Sequence, residues 1–262
     1  MLFCRKDMTV NEYLKNLCRL EFAVTLACTG RCIHCQNGDP IPFSKAGRID
    51  ASAACAAIRK VCAVYPITSV MTFGGEPLLC PETVCAIHKT AAELGVGRRQ
   101  VITNGFFSAS RDRIGEVVRA LAESGVNDLL LSVDAFHQAV IPLGPVKLFA
   151  QSAAEAGIPI RLSPAWLVSQ TDENPYNLRT RAILEEFLPL GIPLGSGNTV
   201  FPSGNALKYL RAYFDDPVTA SSPYDEDPRD VRTISFEPDG NVLNGNVYRT
   251  DILEILLTSR PD

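Results

Sequence analysis

The spacing of the apolar runs constrains the fold of this chain more than any other feature. Six short runs rich in large or β-branched apolar residues alternate with segments whose apolar residues recur at helical spacing. The runs cover residues 21–27, 67–73, 99–105, 127–135, 158–168 and 191–201. A strand and a helix that alternate about every 30 residues predict βα units built around a parallel sheet.

Three of the intervening helices are predicted to end at a glycine. Gly95, Gly125 and Gly157 follow the last apolar residue of their segments and can adopt the left-handed conformation that closes a helix. Six units are too few for a complete eight-stranded barrel. The periodicity therefore leaves two geometries open, an incomplete barrel and an open doubly wound sheet.

The termini are predicted to lie outside this core. Residues 1–20 form an N-terminal extension and residues 21–215 the core, whereas the polar, proline-marked residues 216–230 are predicted to be a linker. Residues 231–262 contain two strand-like runs around a Pro-Asp-Gly turn signal, followed by a short helix. We expect them to form a small C-terminal cap.

Charge and hydropathy exclude several classes of partner. The formal net charge is −4 and no dense Lys/Arg tract occurs, so we expect neither a nucleic acid nor an anionic membrane as partner. The N-terminus lacks the apolar region of a signal peptide, and no stretch of roughly 18 apolar residues predicts a membrane span. The chain is predicted to be cytoplasmic.

All nine cysteines lie before residue 86, which places any cysteine site in the N-terminal part. The odd number and the length of the chain favour reduced thiols over a disulfide framework. Three of them occur in "ACTGRCIHCQNGD", residues 27–39, directly after the first predicted strand. The other six lack ligand-like grouping and are predicted to pack in the core, although any one could donate a hydrogen atom; they are Cys4, Cys18, Cys55, Cys62, Cys80 and Cys85.

The spacing of Cys28, Cys32 and Cys35 points to a metal site, because thiolates are soft ligands for zinc or iron–sulfur clusters. A structural zinc site needs four closed ligands, and only His34, beside Cys35, could supply the fourth. Core cysteines are the other alternative, but three thiols in so short a polar loop do not have that pattern. On a [4Fe–4S] cluster, three thiolates leave one iron without a protein ligand, open to a substrate or cofactor.

This segment resembles the cluster loop of the radical S-adenosylmethionine (radical SAM) superfamily, C-x3-C-x-Φ-C, in which Φ is usually aromatic. His34 stands at Φ, as in many peptide-modifying members. The resemblance implies that Cys28, Cys32 and Cys35 bind a [4Fe–4S] cluster, that the open iron binds SAM, and that His34 lies near the adenine. Of the two geometries, it favours the incomplete (β/α)6 TIM-like barrel.

Two further motifs match the family at the ends of predicted strands. Gly74, Gly75 and Glu76 resemble the GGEP motif, which implies that they bind the methionine amino group of SAM. Glycines permit close approach of a ligand to the backbone, and a carboxylate can accept from an ammonium. A plain βα turn is the alternative. Asn104 ends the third strand, where the resemblance places it beside the cofactor.

Polar residues on the fourth and fifth strands complete the predicted site. Strand alternation places Ser132 and Asp134 on one face. The resemblance places Ser132 near SAM, and Asp134 and His137 near the substrate as candidate catalytic residues; Asp134 could instead cap the next turn. Arg161 is a candidate for the SAM carboxylate, or alternatively for a structural ion pair.

The C-terminal third resembles SPASM-type members only in part. In "VFPSGNA", residues 200–206, Asn205 replaces the Arg of the family's P-x-G-R-A stretch. The hairpin after residue 230 is similar to the start of a SPASM or twitch module, but the auxiliary-cluster cysteines of such modules do not occur in it. The resemblance therefore implies a short cap without auxiliary clusters.

The function that the resemblance implies is radical chemistry. Such an enzyme receives an electron from a donor of the flavodoxin or ferredoxin type, cleaves SAM to a 5′-deoxyadenosyl radical, and abstracts a hydrogen atom from its substrate. A peptide or small protein is the predicted substrate, such as a ribosomally made precursor that is crosslinked or epimerised. Two alternatives stay open: an activase of a glycyl-radical enzyme, and a noncatalytic iron–sulfur sensor or scaffold.

Overall fold

The computed structural model describes residues 10–215, 222 and 224–260. Its strands are β1 (Arg19–Thr25), β2 (Ser69–Gly74), β3 (Arg98–Thr103), β4 (Asp128–Leu131), β5 (Ile160–Leu162), β6 (Ala165–Trp166), β7 (Asn198–Thr199), β8 (Thr233–Phe236), β9 (Asn241–Val242) and β10 (Gly245–Asn246). Its α-helices are α1 (Ala51–Val64), α2 (Pro81–Glu93), α3 (Arg111–Glu123), α4 (Ala135–Gln138), α5 (Leu143–Glu155), α6 (Pro175–Glu185), α7 (Gly204–Tyr209) and α8 (Ile252–Thr258).

The main sheet has eight strands in the order β10-β9-β8-β1-β2-β3-β4-β5. The strands from β8 through β5 pair in parallel, and only the β8-β9-β10 hairpins are antiparallel. The expected α/β fold, a partial barrel of parallel strands, is confirmed. Because parallel strands end at the same edge of a sheet, the loops after β1 to β5 meet at one end of the molecule.

Local sequence signals set the ends of the helices. The side chains of Asp50 and Ser110 accept hydrogen bonds from the first turns of α1 and α3, which satisfies backbone donors that lack partners inside the helix. The predicted terminal glycines are confirmed: Gly95, Gly125 and Gly157 follow α2, α3 and α5 with φ values of 74°, 81° and 75°. A side chain in this conformation would be strained.

The last two predicted strands are shorter than the apolar pattern suggests. The run over residues 158–168 is divided into β5 and β6, since Pro164 interrupts it and has no N–H to donate. The run over 191–201 contributes only β7, which pairs in parallel with β6. The β6–β7 pair is a separate two-stranded sheet. An isolated bridge pairs Leu162 of β5 with Leu194, in the segment that leads to β7.

The C-terminal residues extend the sheet on the far side of β1. Phe22 of β1 and Phe236 of β8 stack with ring centroids 4.6 Å apart, and both are fully buried. Residues 1–9 of the predicted extension, with Cys4 among them, and residues 216–221 and 223 of the predicted linker lie outside the described residues. The division of the chain at residues 20, 215 and 230 stays a prediction. No helix in the described part of the chain is long and apolar enough to cross a membrane.

One buried histidine makes the stability of the fold sensitive to acid. His88 of α2 is fully buried, and its Nε2 lies 2.9 Å from Thr72 Oγ1 of β2. Burial, together with the nearby Arg99, lowers the pKa of His88 to about 3. Below a pH of about 6.5, the ordinary pKa of histidine, His88 is therefore protonated in the unfolded chain but not in the folded one.

We expect the free energy of unfolding to decrease as the pH falls from about 6.5 toward 3, by at most about 1.4 kcal/mol per pH unit from His88. The variant His88→Gln, which can retain a hydrogen bond to Thr72, should show a shallower pH dependence. Urea unfolding at several pH values measures both slopes. Equal slopes for the two proteins would show that His88 does not cause the effect.

Candidate active site at the ends of the parallel strands

The three cysteines predicted to bind the cluster lie together. Residues 28–48, here called the cysteine loop, follow β1 directly, and Cys28, Cys32 and Cys35 line one cavity of about 250 Å³. A Cβ on Gly30 would lie 3.2 Å from Sγ of Cys32 and 3.7 Å from Sγ of Cys28. Because Gly30 has no side chain, the loop can curl between these two thiols.

The electrostatics and chemistry of the thiols fit a metal cluster. Burial raises the pKa of Cys28 to about 11 and raises the pKa values of Cys32 and Cys35 above the ordinary value. Each thiol is therefore protonated at neutral pH without a metal and must release its proton on binding one. No other cysteine among the described residues lines this cavity. Three soft ligands with no fourth match a [4Fe–4S] cluster that has one open iron.

The start of the cysteine loop is fixed by the end of β2. Gly75 N donates to Thr25 O at 2.7 Å, and Glu76 N donates to Ala27 O at 2.8 Å. A Cβ on Gly74 would lie 2.4 Å from Thr25 O, and one on Gly75 would lie 2.2 Å from Ala27 O. Both glycines line the cavity, but the close backbone approach that requires them is to the end of β1. The packing of β2 against the end of β1 therefore requires the two glycines, whether or not a ligand also requires them.

Glu76 is fully buried and lies outside the set of residues that line the cavity, and its predicted contact with SAM stays a prediction. Its buried carboxylate accepts hydrogen bonds from Leu78 N, Thr103 Oγ1 and Asn104 N at 2.7–2.9 Å. Burial raises the pKa of Glu76 to about 7, although these three donors oppose the shift. Three protein donors occupy the carboxylate, so Glu76 acts on the site by holding the end of β3.

Asn104 connects β3 to the cysteine loop. Its Nδ2 lies 3.5 Å from Cys28 Sγ and 3.2 Å from Thr29 Oγ1, and its Oδ1 accepts from Phe106 N. Thr29 Oγ1 in turn donates to Phe106 O at 2.7 Å. Hydrogen bonds to cysteine sulfur tune the reduction potential of iron–sulfur clusters. Thr29 was missed by the sequence reasoning, because a threonine between two cysteines carries no pattern of its own.

Asp134 and His137 form a hydrogen-bonded dyad in the cavity wall. β4 ends at Leu131, so Asp134 lies beyond the strand on which it was predicted and caps α4, accepting from Phe136 N and His137 N. Its Oδ2 accepts from Ala165 N at 3.0 Å and from His137 Nδ1 at 2.8 Å. The cap that the sequence left as an alternative therefore coexists with the dyad. Ser132 lines the same cavity.

The two members of the dyad shift each other's protonation. Burial opposes ionisation of both, but the His137 imidazolium holds the pKa of Asp134 below its usual range, and Asp134 raises the pKa of His137. Because Nδ1 of His137 bonds the carboxylate, its Nε2 is the nitrogen left for a ligand. The His137 side chain lines the cavity and is 17% exposed.

His34 packs against the dyad. Its ring lies 4.7 Å from that of Phe136 and 4.8 Å from that of His137, and its buried Nδ1 has no hydrogen-bond partner among the described residues. Burial lowers the pKa of His34 to about 4, so it is neutral. The ligand atoms of His34, Asp134 and His137 lie within 4.8 Å of one another. A separate metal site is disfavoured, since both oxygens of Asp134 already accept two hydrogen bonds each.

Arg161 lies away from the cavity, and its assignment to the SAM carboxylate is corrected. Its guanidinium pairs with Asp128 at 2.5 Å, near the opposite end of β4. Arg98 Nε and Gln100 Nε2 also donate to Asp128, at 2.8 and 2.7 Å. The neighbouring carboxylate on β4 therefore makes Arg161 part of the structural ion pair that the sequence left as the alternative.

Sequence reasoning underestimated residues 204–205, because Asn205 departs from the family stretch. Asn205 N donates to Cys35 O at 2.9 Å, and its side chain donates to Cys32 O and Asp39 Oδ1, both at 3.3 Å. A Cβ on Gly204, where φ is 49°, would lie 2.3 Å from Gln36 O. The start of α7 thus lies directly against the cysteine loop and holds its carbonyl groups in place.

The family model of the radical SAM superfamily matches residues 22–159, which span β1 to the loop before β5. The chain belongs to this superfamily. It is therefore an iron–sulfur enzyme whose cofactors are a [4Fe–4S] cluster and SAM. The cysteine loop and cavity described above fit these cofactors.

Curated relatives share part of the chain. The GTP 3′,8-cyclase of Lactiplantibacillus plantarum is 26% identical over 117 residues, 45% of this chain and 33% of that protein. The GTP 3′,8-cyclase of Moorella thermoacetica is 24% identical over 199 residues, 70% of this chain and 60% of that protein. The match thus covers between a third and three fifths of these relatives.

A solved structure supports the fold. The structure of native anSMEcpe with bound AdoMet superposes with a TM-score of 0.55 at 14% identity, covering 93% of this chain and 80% of that one. At this identity, the similarity shows the shared fold alone.

We expect Arg161→Gln to retain the cluster and the cleavage of SAM, because Arg161 touches neither the cysteine loop nor the cavity. Asp128 is buried but keeps its hydrogen bonds from Arg98 and Gln100, so the loss of Arg161 should lower the free energy of unfolding by about 1–3 kcal/mol. Cys32→Ala should instead lose most of the bound iron. Iron analysis and 5′-deoxyadenosine production after anaerobic reconstitution compare the two. Loss of SAM cleavage in the iron-loaded Arg161 variant would show that Arg161 contributes to SAM binding.

We expect Asn205→Ala to release iron faster than the unmodified protein under a chelator, because the cysteine loop loses two side-chain hydrogen bonds. The matched control is Asn127→Ala, which loses two hydrogen bonds to Arg99 N and Gly97 O at the opposite end of the barrel. Each variant should be destabilised by about 1–3 kcal/mol. Equal iron release from both variants would show that only global stability matters.

Proposed function

We propose that this radical SAM enzyme abstracts a hydrogen atom from a peptide, in the maturation of a ribosomally made precursor by crosslinking or epimerisation. When bound, the cluster and SAM supply the electron and the 5′-deoxyadenosyl radical that such a reaction needs. The protein's own residues then have three tasks: to hold the cluster, to orient SAM, and to position the substrate.

The observation that carries the choice of substrate is the composition of the cavity wall. Among the described residues that line it, none is lysine or arginine. Apart from the cysteines, its polar side chains carry hydroxyl, amide, carboxyl and imidazole groups. Tyr224, whose ring contacts that of Phe201, adds exposed aromatic surface. Such a wall can bind the neutral amides and mixed side chains of a peptide.

Individual residues support distinct tasks within this proposal. Cys28, Cys32 and Cys35 are the proposed cluster ligands, and Asn104 and Ser132 the proposed SAM contacts, since all five line the cavity. The His137 Nε2, held in place through Asp134, is available to hydrogen-bond a substrate carbonyl or amide. These assignments rest on position and chemistry within one cavity.

GTP is the second candidate substrate, because the curated relatives bear the name GTP 3′,8-cyclase. A nucleoside triphosphate carries several negative charges, and proteins bind such groups with Arg, Lys, metal ions or clustered backbone N–H groups. The cavity wall contains two acidic residues, Asp39 and Asp134, and no described lysine or arginine, and this composition favours a peptide over the polyanion.

The electron donor is proposed to be a flavodoxin- or ferredoxin-type reductase protein. The glycyl-radical activase and the noncatalytic sensor or scaffold remain as outcomes that experiment must separate. An activase would install a radical on a large partner protein, detectable by electron paramagnetic resonance. A sensor or scaffold would hold the cluster without cleaving SAM.

We expect the reconstituted, reduced protein to produce 5′-deoxyadenosine and to modify a small peptide encoded next to its gene, while leaving GTP unchanged. Liquid chromatography with mass spectrometry measures all three: crosslinking removes two hydrogen atoms, and epimerisation in D2O incorporates deuterium. If the protein consumed GTP and left the peptide unmodified, the peptide proposal would be wrong and GTP would be the substrate. A fully loaded and reduced cluster that cleaves no SAM would exclude the enzymatic proposal.

A matched pair of variants tests the dyad in the same assay. Asp134→Asn removes the charge that orients His137, whereas Arg161→Gln changes a charged residue outside the cavity. We expect the former to reduce peptide modification more than uncoupled SAM cleavage and the latter to change neither. If Asp134→Asn instead reduced SAM cleavage more than peptide modification, the dyad would act on SAM and not on the substrate.

A further inference from the structure

Among the residues that the structure describes, one edge of β7 is paired and the other, the open edge, has no partner. Asn198 N donates to Pro164 O at 2.9 Å, and Val200 N donates to Trp166 O at 2.8 Å. Both N–H groups thus face β6. Because successive peptide groups of a strand point in opposite directions, the N–H and C=O of Thr199 face the other side.

No partner occupies this open edge in the described part of the chain. The N–H groups of Gly197 and Thr199 donate to no protein acceptor there, and β7 pairs with β6 alone. The side chains of Asn198 and Thr199 are exposed. An unpaired strand edge presents a ready row of donors and acceptors to any extended backbone.

The open edge borders the proposed reaction site. Asn198, Thr199 and Val200 line the same cavity as the three cysteines and the His137 imidazole. Side chains along a strand alternate between its two faces. A strand bonded to β7 would therefore direct every second side chain toward one face, and the cavity would receive them.

We propose that an extended segment of the peptide substrate adds to the open edge of β7 as a further strand, with hydrogen bonds to the backbone of Thr199. This inference rests on the proposed function and names how its substrate is held. Recognition through the backbone supplies affinity that depends little on peptide sequence, while the cavity selects the side chain that reacts.

The surroundings of the edge match such an occupant. Phe201 and Tyr224, with rings 5.9 Å apart, lie just beyond β7 and offer apolar contact to side chains of the added strand. Gln36 and Asn37 of the cysteine loop line the cavity and are exposed. Their amide groups can both donate and accept, which suits the backbone of a peptide.

A single substitution can remove one of the two open-edge donors, the N–H of Thr199, without changing the hydrogen bonds between β6 and β7. Thr199→Pro deletes the N–H that faces outward, and its ring obstructs the approach of another strand. Proline is tolerated on edge strands for this reason, and Asn198 already has the extended conformation that a residue before proline prefers. The matched control Thr199→Ala keeps the N–H and removes only the hydroxyl and methyl groups.

The probe is a library of random 12-residue peptides displayed on phage, panned without oxygen against the reconstituted protein with SAM. Enriched peptides are synthesised with a fluorescent label, and their Kd is measured by anisotropy. We expect Thr199→Pro to weaken binding about tenfold, equivalent to about 1.4 kcal/mol, and Thr199→Ala to bind within about twofold of the unmodified protein. Iron content and melting temperature report whether each variant is folded.

Methylation of the peptide's own amide nitrogens provides a second readout on the unmodified protein. Each methyl group removes one donor, so strand addition predicts that binding weakens at every second position. This measurement decides the question if Thr199→Pro fails to fold. A profile without the two-residue period would overturn strand addition.

The remaining outcomes separate the two levels of the proposal. Equal binding to Thr199→Pro and to the unmodified protein would overturn docking on β7 and leave a peptide substrate intact. Failure to enrich any peptide on the unmodified protein, together with failure to modify the gene-adjacent peptide, would overturn both.

Discussion

Two backbone hydrogen bonds join the end of β2 to the end of β1, and the geometry of the whole site depends on them. Gly75 and Glu76 donate to Thr25 and Ala27, which come just before Cys28, the first cysteine of the cysteine loop. These two segments lie so close together that a methyl group on Gly74 or Gly75 would overlap a carbonyl oxygen, either of β1 or of the residues directly after it. The junction thereby fixes where the cysteine loop begins.

From this junction, contacts spread to the neighbouring strands. Glu76 follows the second glycine, and its buried carboxylate accepts a hydrogen bond from Asn104 N at the end of β3. The side chain of Asn104 in turn donates to Cys28 and Thr29. On the opposite side of the loop, Asn205 bonds the carbonyl groups of Cys32 and Cys35. The loop is thus held at both ends by elements distant in sequence, which gives three thiols a defined arrangement without a disulfide.

The distribution of charge separates the two ends of the barrel. The ion pair of Arg161 with Asp128, and the hydrogen bonds around it, lie near the amino-terminal ends of the strands. At the carboxyl-terminal ends, the described cavity wall has no lysine or arginine and contains the Asp134–His137 dyad, in which the two opposite charges offset each other. This separation is the physical basis for proposing a neutral substrate, and the open edge of β7 on the same side offers that substrate a backbone to bind.

The sequence by itself determined the βα order, the three terminal glycines, the cysteine triplet and the polar residues at successive strand ends, because these depend on local periodicity and on chemistry carried by neighbouring residues. Only the tertiary structure decided which polar side chains face the cavity. Arg161 turned to a carboxylate on the adjacent strand, Glu76 turned to three donors from the segments around it, and Asn205 bonds Cys32, which lies 173 positions earlier in the chain. Such partners are distant in sequence, and a buried charge or amide is placed by the donors and acceptors that folding brings within reach.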